Sequence, residues 1–358
     1  MVIRRPVPKD FAMPDALSHR RLSRRGLLAA AGAAGLGALL AGCGKDGGDA
    51  AATSAGPTGG PWSFTDDRQQ KVDAAARPTR IVAFTGVAAA LVDFGLDEQI
   101  VGVFGETKKA DGSKEPQAGD LDVQQVEILG NAWGEFNLEK YAGLRPELLV
   151  THMYDPGALW YVPDESKAKI LPLAPSVAIT TARVPMTRPI ERYAELAGSL
   201  GADLTAKKVT DAKARFTAAA EAVRQAVRAN PGIKVMAASG SPDLFYVSNP
   251  KVSTDLMYFA ELGVDLVVPT KLEQGDYFEA LSWENTGKFP ADLILLDNRP
   301  TALAPKDLAA KPTWAQLPAV KADQVTPWDA VPRFSYAGAA PLLENLATAI
   351  RGAKKVTA

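Results

Sequence analysis

Aromatic and arginine side chains recur in the segments that directly follow apolar stretches of this chain. Flat aromatic rings bury the apolar shell of a rounded ligand with little loss of rotamer entropy, and arginine donates hydrogen bonds to oxygen atoms. Such residues at strand ends predict a binding surface for a small molecule with an apolar shell and polar oxygens. The candidate ligand-binding residues are Trp133, Tyr154, Trp160, Tyr161, Tyr277, Arg299, Arg333 and Tyr336.

Other kinds of site find little support in the sequence. The only two histidines, His19 and His152, cannot supply the several imidazoles of a zinc or manganese site, so we expect no metal site. The run Ser239-Gly240-Ser241-Pro242 lacks the spacing of a nucleophile elbow, and no P-loop or Gly-x-Gly-x-x-Gly motif occurs. We therefore expect a binding protein with no cofactor of its own, not an enzyme.

The candidate residues need strands to position them. Arg80–Phe84 and Ile100–Phe104 are short apolar runs, and a helical segment, Val87–Phe94, lies between them. Uninterrupted apolar strands that alternate with helices are typical of a parallel sheet covered on both faces. In such sheets, ligands bind beyond the carboxyl ends of the strands, where the aromatic residues fall.

The strand-helix alternation stops midway along the chain and then resumes. Two successive helical segments, 188–200 and 203–228, separate the halves, and strands begin again at Lys234. We predict an α/β protein of two Rossmann-like lobes with mainly parallel sheets, joined by a single long helix. The predicted divisions are a signal peptide at 1–42, a tether at 43–61, an N-terminal lobe at 62–186, the linking helix at 187–200 and a C-terminal lobe at 201–358.

The amino-terminal segment has the order of an export signal. Arg24 and Arg25 precede an uncharged run, Gly26–Gly42, that is short and weakly apolar for a membrane-spanning helix. A charged region, a modest apolar region and small residues before a cleavage point are typical of a signal peptide. Ser-Arg-Arg-Gly-Leu-Leu resembles the twin-arginine signal, and Leu40-Ala41-Gly42-Cys43 resembles a lipobox, which implies acylation of Cys43. The alternatives are an ordinary cleaved signal and a buried Ala/Leu helix, in either of which Cys43 would be incidental.

Charge and cysteine content exclude further classes of protein. The chain has 40 Lys and Arg against 41 Asp and Glu, and its basic leader leaves the remainder mildly acidic. Nucleic-acid binding, which needs a basic footprint, is therefore not expected. Because Cys43 is the only cysteine, its acylation would leave no thiol for a disulfide.

Several motifs, in this order and spacing, resemble ABC-importer substrate-binding lipoproteins of the ferric-siderophore and cobalamin type, the class with a rigid helix between its lobes. They are Arg77-Pro-Thr-Arg-Ile-Val82, Asn137-Leu-Glu139 with Arg145-Pro-Glu-Leu-Leu-Val150, Ser282-Trp-Glu284, and Thr313-Trp314-Ala-Gln-Leu317 with Pro-Ala-Val-Lys321-Ala-Asp-Gln-Val325. The resemblance covers essentially all of residues 62–352.

The resemblance implies roles for particular residues. It places the ligand cleft near Tyr154, around Trp133, at Asp276-Tyr277-Phe278, and before the last helix at Arg333, Phe334 and Tyr336. Many hydroxamate binders of this type carry arginine where this chain has Trp133, so the salt bridge expected there is in doubt. One glutamate per lobe, Glu139 and Glu284, would dock onto permease arginines, although a helix dipole also explains a glutamate at a helix start.

The resulting hypothesis is a monomeric receptor, held on the outer face of the cytoplasmic membrane through Cys43. It would bind an iron(III)-siderophore complex and deliver it to the permease subunits of an ABC importer. A hydroxamate-type chelate is favoured over a catecholate because aromatics outnumber cationic residues in the candidate loops. The alternatives are a cobalamin or haem binding protein of the same fold, and an extracytoplasmic sensor or enzyme on that scaffold.

Overall fold

The computed structural model describes residues 60–357. The predictions on Arg24, Arg25 and Cys43, like the signal peptide and most of the tether, lie outside the described residues. Within 60–357, no helix combines the length and apolarity that crossing a bilayer requires.

The first lobe is built on a parallel five-stranded sheet, as the apolar runs predict. An antiparallel hairpin, β1 (Trp62–Thr65) with β2 (Lys71–Ala74), precedes it. The sheet strands are β3 (Ile81–Phe84), β4 (Ile100–Phe104), β5 (Glu127–Ile128), β6 (Leu148–Met153) and β7 (Ser176–Thr180), in the order β5-β4-β3-β6-β7. Strands β3 and β6 are buried along their whole length, because helices cover both faces.

Within residues 60–357, three α-helices belong to this lobe. They are α1 (Thr85–Asp93), α2 (Leu138–Gly143) and α3 (Asp164–Ile170). Gly95, with φ of +97°, turns the chain after α1. The Asn137 side chain accepts a hydrogen bond from the Lys140 backbone N–H at 2.9 Å, which caps α2.

Two helices lead from the first sheet to the second. Helix α4 (Thr187–Ser199) buries Ile190, Tyr193 and Leu196 and contacts β7 and α1. The longer α5 (Lys207–Ala229) follows it. Its packing partner is the terminal helix of the second lobe, Tyr336–Gly352. The residue limits assigned to the lobes and to the linking helix stay predictions.

The second lobe has a mixed sheet. Its strands are β8 (Lys234–Gly240), β9 (Leu244–Ser248), β10 (Asp265–Leu266), β11 (Phe278–Ser282), β12 (Leu293–Asp297) and β13 (Val325–Trp328). They run in the order β11-β9-β8-β12-β13, with β10 also on β8, and β9 is antiparallel to β8 and β11. The helices are α6 (Thr254–Glu261), α7 (Pro305–Leu308), α8 (Pro312–Gln316), α9 (Pro318–Lys321) and α10 (Tyr336–Gly352), with a 3-10 helix at Trp283–Lys288. Trp314 is buried against Phe245, at 6.0 Å between ring centroids, as expected of a core residue.

Candidate functional site

Four aromatic side chains meet beyond the carboxyl end of β6, and we call them the aromatic cluster: Trp133, Tyr154, Trp160 and Tyr161. Ring centroids are 4.6 Å apart for Tyr154 and Trp160, and 5.0 Å apart for Trp160 and Trp133. Trp133 also contacts Tyr161 at 4.9 Å. Trp133 is 57% exposed although it is apolar, so the cluster presents an uncovered aromatic face.

The backbone holds these rings by folding the loop after β6 back onto the strand. The Trp160 backbone N–H donates to the His152 backbone carbonyl at 3.0 Å, and the Thr151 hydroxyl donates to the Trp160 backbone carbonyl at 2.7 Å. Tyr161 then adopts φ of +61°, a left-handed conformation that is unfavourable for an aromatic residue. Such strained backbone is concentrated at functional sites.

His152 forms the base of this arrangement and is fully buried. Its Nδ1 shares a hydrogen bond of 2.7 Å with the Tyr193 hydroxyl, and Phe84 and Phe334 pack on its ring at 5.2 and 5.3 Å. Burial lowers the pKa of His152 to about 3, so the imidazole is neutral at physiological pH. Residues 60–357 contain no group of three or more His, Cys, Asp or Glu side chains arranged to hold a metal ion.

Tyr277 and Arg183 connect the cluster to the second lobe. The Tyr277 hydroxyl donates to the Tyr154 carbonyl at 3.1 Å. Arg183 donates to the same carbonyl at 3.0 Å, to Asp155 at 3.1 Å and to the Gly275 carbonyl at 2.8 Å. Arg183 itself has φ of +61°, so a second strained residue lies in this contact. The two lobes therefore meet at the edge of the aromatic cluster.

Arg299 faces the cluster from the carboxyl end of β12. Its guanidinium contacts both oxygens of the buried Asp297 carboxylate, with the shortest distance 2.6 Å from Nη2 to Oδ2. The Arg299 charge also acts on the Tyr154 and Tyr161 hydroxyls. With 37% of its side chain exposed, Arg299 can also approach a ligand.

Glu106 is a site residue that the sequence reasoning missed. It follows the carboxyl end of β4, and it accepts a hydrogen bond from the Tyr161 hydroxyl and another from Gln117 Nε2 at 3.3 Å. Burial and the adjacent Glu106 charge raise the pKa of Tyr161 well above its usual value. The strand-end rule that selected Tyr154 would have selected Glu106 as well, had it been applied to acidic residues.

Arg333 and Tyr336 do not join the cluster. Arg333 forms an ion pair with the buried Asp93 at 2.9 Å and covers Gly119. The Tyr336 ring packs against Phe94 at 6.0 Å and Phe216 at 5.7 Å. Both residues thus occupy a second contact between the lobes, where the Ser335 hydroxyl also bonds Asp93. Their role in ligand binding stays a prediction.

Glu139 and Glu284 lie on the two lobes at matched places. Glu139 is exposed in the first turn of α2, and Glu284 is exposed at the start of the 3-10 helix that follows β11. Hydrogen bonds from its own backbone N–H and from Ser282 lower the pKa of Glu284. Both side chains are thus free to meet a partner.

The arrangement suits capture of a small molecule between two lobes, and the comparisons with known proteins agree with it. Residues 81–332 match the family model described as periplasmic binding protein, and the chain belongs to this family. Its fold is the two-lobe α/β type in which a long helix joins the lobes.

Similar solved structures include the ferric-siderophore receptor protein DesE from Streptomyces coelicolor. It is 54% identical, with a TM-score of 0.80, and the match covers 83% of this chain and 100% of that one. The triscatecholate siderophore binding protein FeuA from Bacillus subtilis is 16% identical, with a TM-score of 0.59 over 80% and 97% of the two chains. The FhuD protein from S. pseudintermedius is 20% identical, with a TM-score of 0.56 over 82% and 98%. The last two similarities show the fold alone. No curated protein gives a significant match.

Proposed function

We propose that this protein is an extracytoplasmic receptor that binds a ferric siderophore. The observation that carries the proposal is the 54% identity, over the whole length of that chain, to a ferric-siderophore receptor. The aromatic cluster supports it, because an exposed aromatic face beside hydroxyl and guanidinium donors matches a chelate with an apolar shell and polar oxygens.

A hydroxamate-type chelate is the cargo class that the site favours. Three singly charged hydroxamates neutralise iron(III), whereas three doubly charged catecholates leave a trianion. The arginines near the cleft already have carboxylate partners, Arg299 with Asp297 and Arg183 with Asp155. Burial raises the pKa of the Tyr154 hydroxyl and raises that of Tyr277 to about 12, so both remain protonated donors without adding charge.

Delivery and anchoring complete the proposal. Glu139 and Glu284 would dock on the permease subunits of an ABC importer, since exposed carboxylates on both lobes can pair with two arginine sites. Twin-arginine export through Arg24 and Arg25, followed by acylation at Cys43, would hold the receptor on the outer face of the cytoplasmic membrane. Two acyl chains are needed for such a stable anchor.

Tryptophan fluorescence provides the test, because Trp133 and Trp160 belong to the proposed site. The purified protein would be titrated with a ferric hydroxamate, a ferric catecholate, cobalamin and haem. We expect quenching by the ferric hydroxamate with a Kd below about 10 μM, or roughly −7 kcal/mol. If only cobalamin or haem binds, that molecule is the cargo and the siderophore proposal is wrong. Binding of none of the four would refute the receptor role and favour a sensor or enzyme.

A further inference from the structure

Two arginines around the proposed cleft are paired with carboxylates of this chain. Arg299 lies on Asp297, Arg183 on Asp155, and each of these pairs is neutral as a unit. The buried side chain of Asp297 has no exposed surface, so its contact with Arg299 is screened little by solvent. These two pairs therefore add no net positive charge to the proposed cleft.

Glu106 is the exception, because its partners are neutral. The Tyr161 hydroxyl and the Gln117 amide donate to its carboxylate, and among residues 60–357 no ion pair to Glu106 forms within 4 Å. Arg299 faces Glu106 from the other lobe, but its guanidinium is already bonded to Asp297. The charge of Glu115 acts on that of Glu106, and Lys109 is the cation that acts most strongly on Glu115.

We infer that Glu106 selects cargo by charge: the cleft favours ferric chelates with a cationic pendant group over neutral ones, and both over anionic ones. This inference rests on the proposed function, since it concerns the same cleft. The carboxylate is half-buried beside apolar rings, where charges interact more strongly than in water. A unit charge within ~8 Å at an effective dielectric constant of ~20 changes affinity by at least about tenfold.

Three ferric trihydroxamates of one scaffold test the inference. Their pendant arm ends in a free ammonium, its N-acetyl derivative or its N-succinyl derivative, so that only charge and a small group change. For the wild-type protein we expect affinity to fall in that order, by about tenfold or more from ammonium to succinyl. In Glu106→Gln, which keeps an acceptor for Tyr161, the affinities for the three chelates should agree within about threefold. In the wild-type protein, the range of the three affinities should shrink at high salt.

Glu165→Gln is the matched control, because it removes the same charge from an exposed helix of the same lobe. It should keep the wild-type range, and thermal melts should show that both variants fold. Equal affinity for the three chelates in the wild-type protein, or an unchanged range in Glu106→Gln, would overturn the charge selection while leaving siderophore binding intact. Failure of all three to bind the wild-type protein would refute the receptor role itself.

Discussion

The two lobes contribute to the cleft in different ways. On the first lobe, the aromatic cluster is assembled from rings that contact one another, over a base of His152 and Phe84. On the second lobe, Tyr277 and Arg299 do not contact each other in this way; Tyr277 bonds the Tyr154 carbonyl of the first lobe. We therefore propose that the first lobe offers a preformed ligand surface and that the second lobe completes the site when the lobes are together.

Outside the proposed cleft, each lobe has an exposed glutamate at the start of a short helix, and this similarity gives the largest predicted effect. Glu139→Ala with Glu284→Ala should reduce uptake of the radiolabelled ferric chelate to the level of cells without the receptor. Affinity of the purified variant for the chelate should not change, because both side chains are exposed and neither is a member of the aromatic cluster.

The matched control pair is Glu165→Ala with Glu261→Ala, again one exposed glutamate on each lobe. It should keep wild-type uptake. A loss of affinity in the Glu139 and Glu284 variant, with normal folding, would instead place these residues in the cleft.

Each lobe has a buried titratable group, and the two groups make stability depend on pH with opposite signs. Burial raises the pKa of Asp255, on the second lobe, to about 6, against a hydrogen bond of 2.5 Å from Trp328 that lowers it. Between pH 4 and 6 the folded state therefore binds more protons at Asp255 than the unfolded state, so this group's contribution to stability is lost as pH rises. His152, on the first lobe, has a lowered pKa, and its contribution is lost as pH falls below 6.5.

Asp255→Asn separates the two effects, because His152 is common to both proteins. The free energy of unfolding of the variant minus that of the wild type should increase by up to about 3 kcal/mol between pH 4 and 7. Urea unfolding at several pH values measures it. A difference that does not change with pH for Asp255→Asn would show that this carboxyl ionises without cost in the fold.

Part of the fold and of the candidate site could be predicted from the sequence. Apolar runs predicted β3, β4, β6 and β8. The strand-end rule selected Tyr154, Trp160 and Tyr161, whose rings contact one another in the structure. The two-residue β5 was missed because it has too few residues to show a pattern, and β11 was missed because Glu279 and Ser282 interrupt its apolar residues without the period-two alternation of a strand.

The contacts of Arg333 and Tyr336 could not be predicted from the sequence, because their partners Asp93 and Phe94 are some 240 residues earlier in the chain. A buried carboxylate strongly favours a nearby guanidinium, because an uncompensated buried charge is costly. No local sequence pattern predicts such a pairing. Because the pairing determines which arginines remain near the proposed ligand site, candidate arginines are less predictable from sequence than candidate aromatics.

Trp133→Ala gives the smallest expected effect and the most direct test of a preformed aromatic surface. Trp133 is 57% exposed, so its removal should change the melting temperature little. A ligand that covers the ring would lose about 1–2 kcal/mol, or about tenfold in Kd. Leu173→Ala, which removes another exposed apolar side chain of the same lobe, should leave Kd unchanged. If Trp133→Ala binds as well as the wild type, the ligand does not cover this ring, and affinity must come from Tyr154, Trp160 and the second lobe.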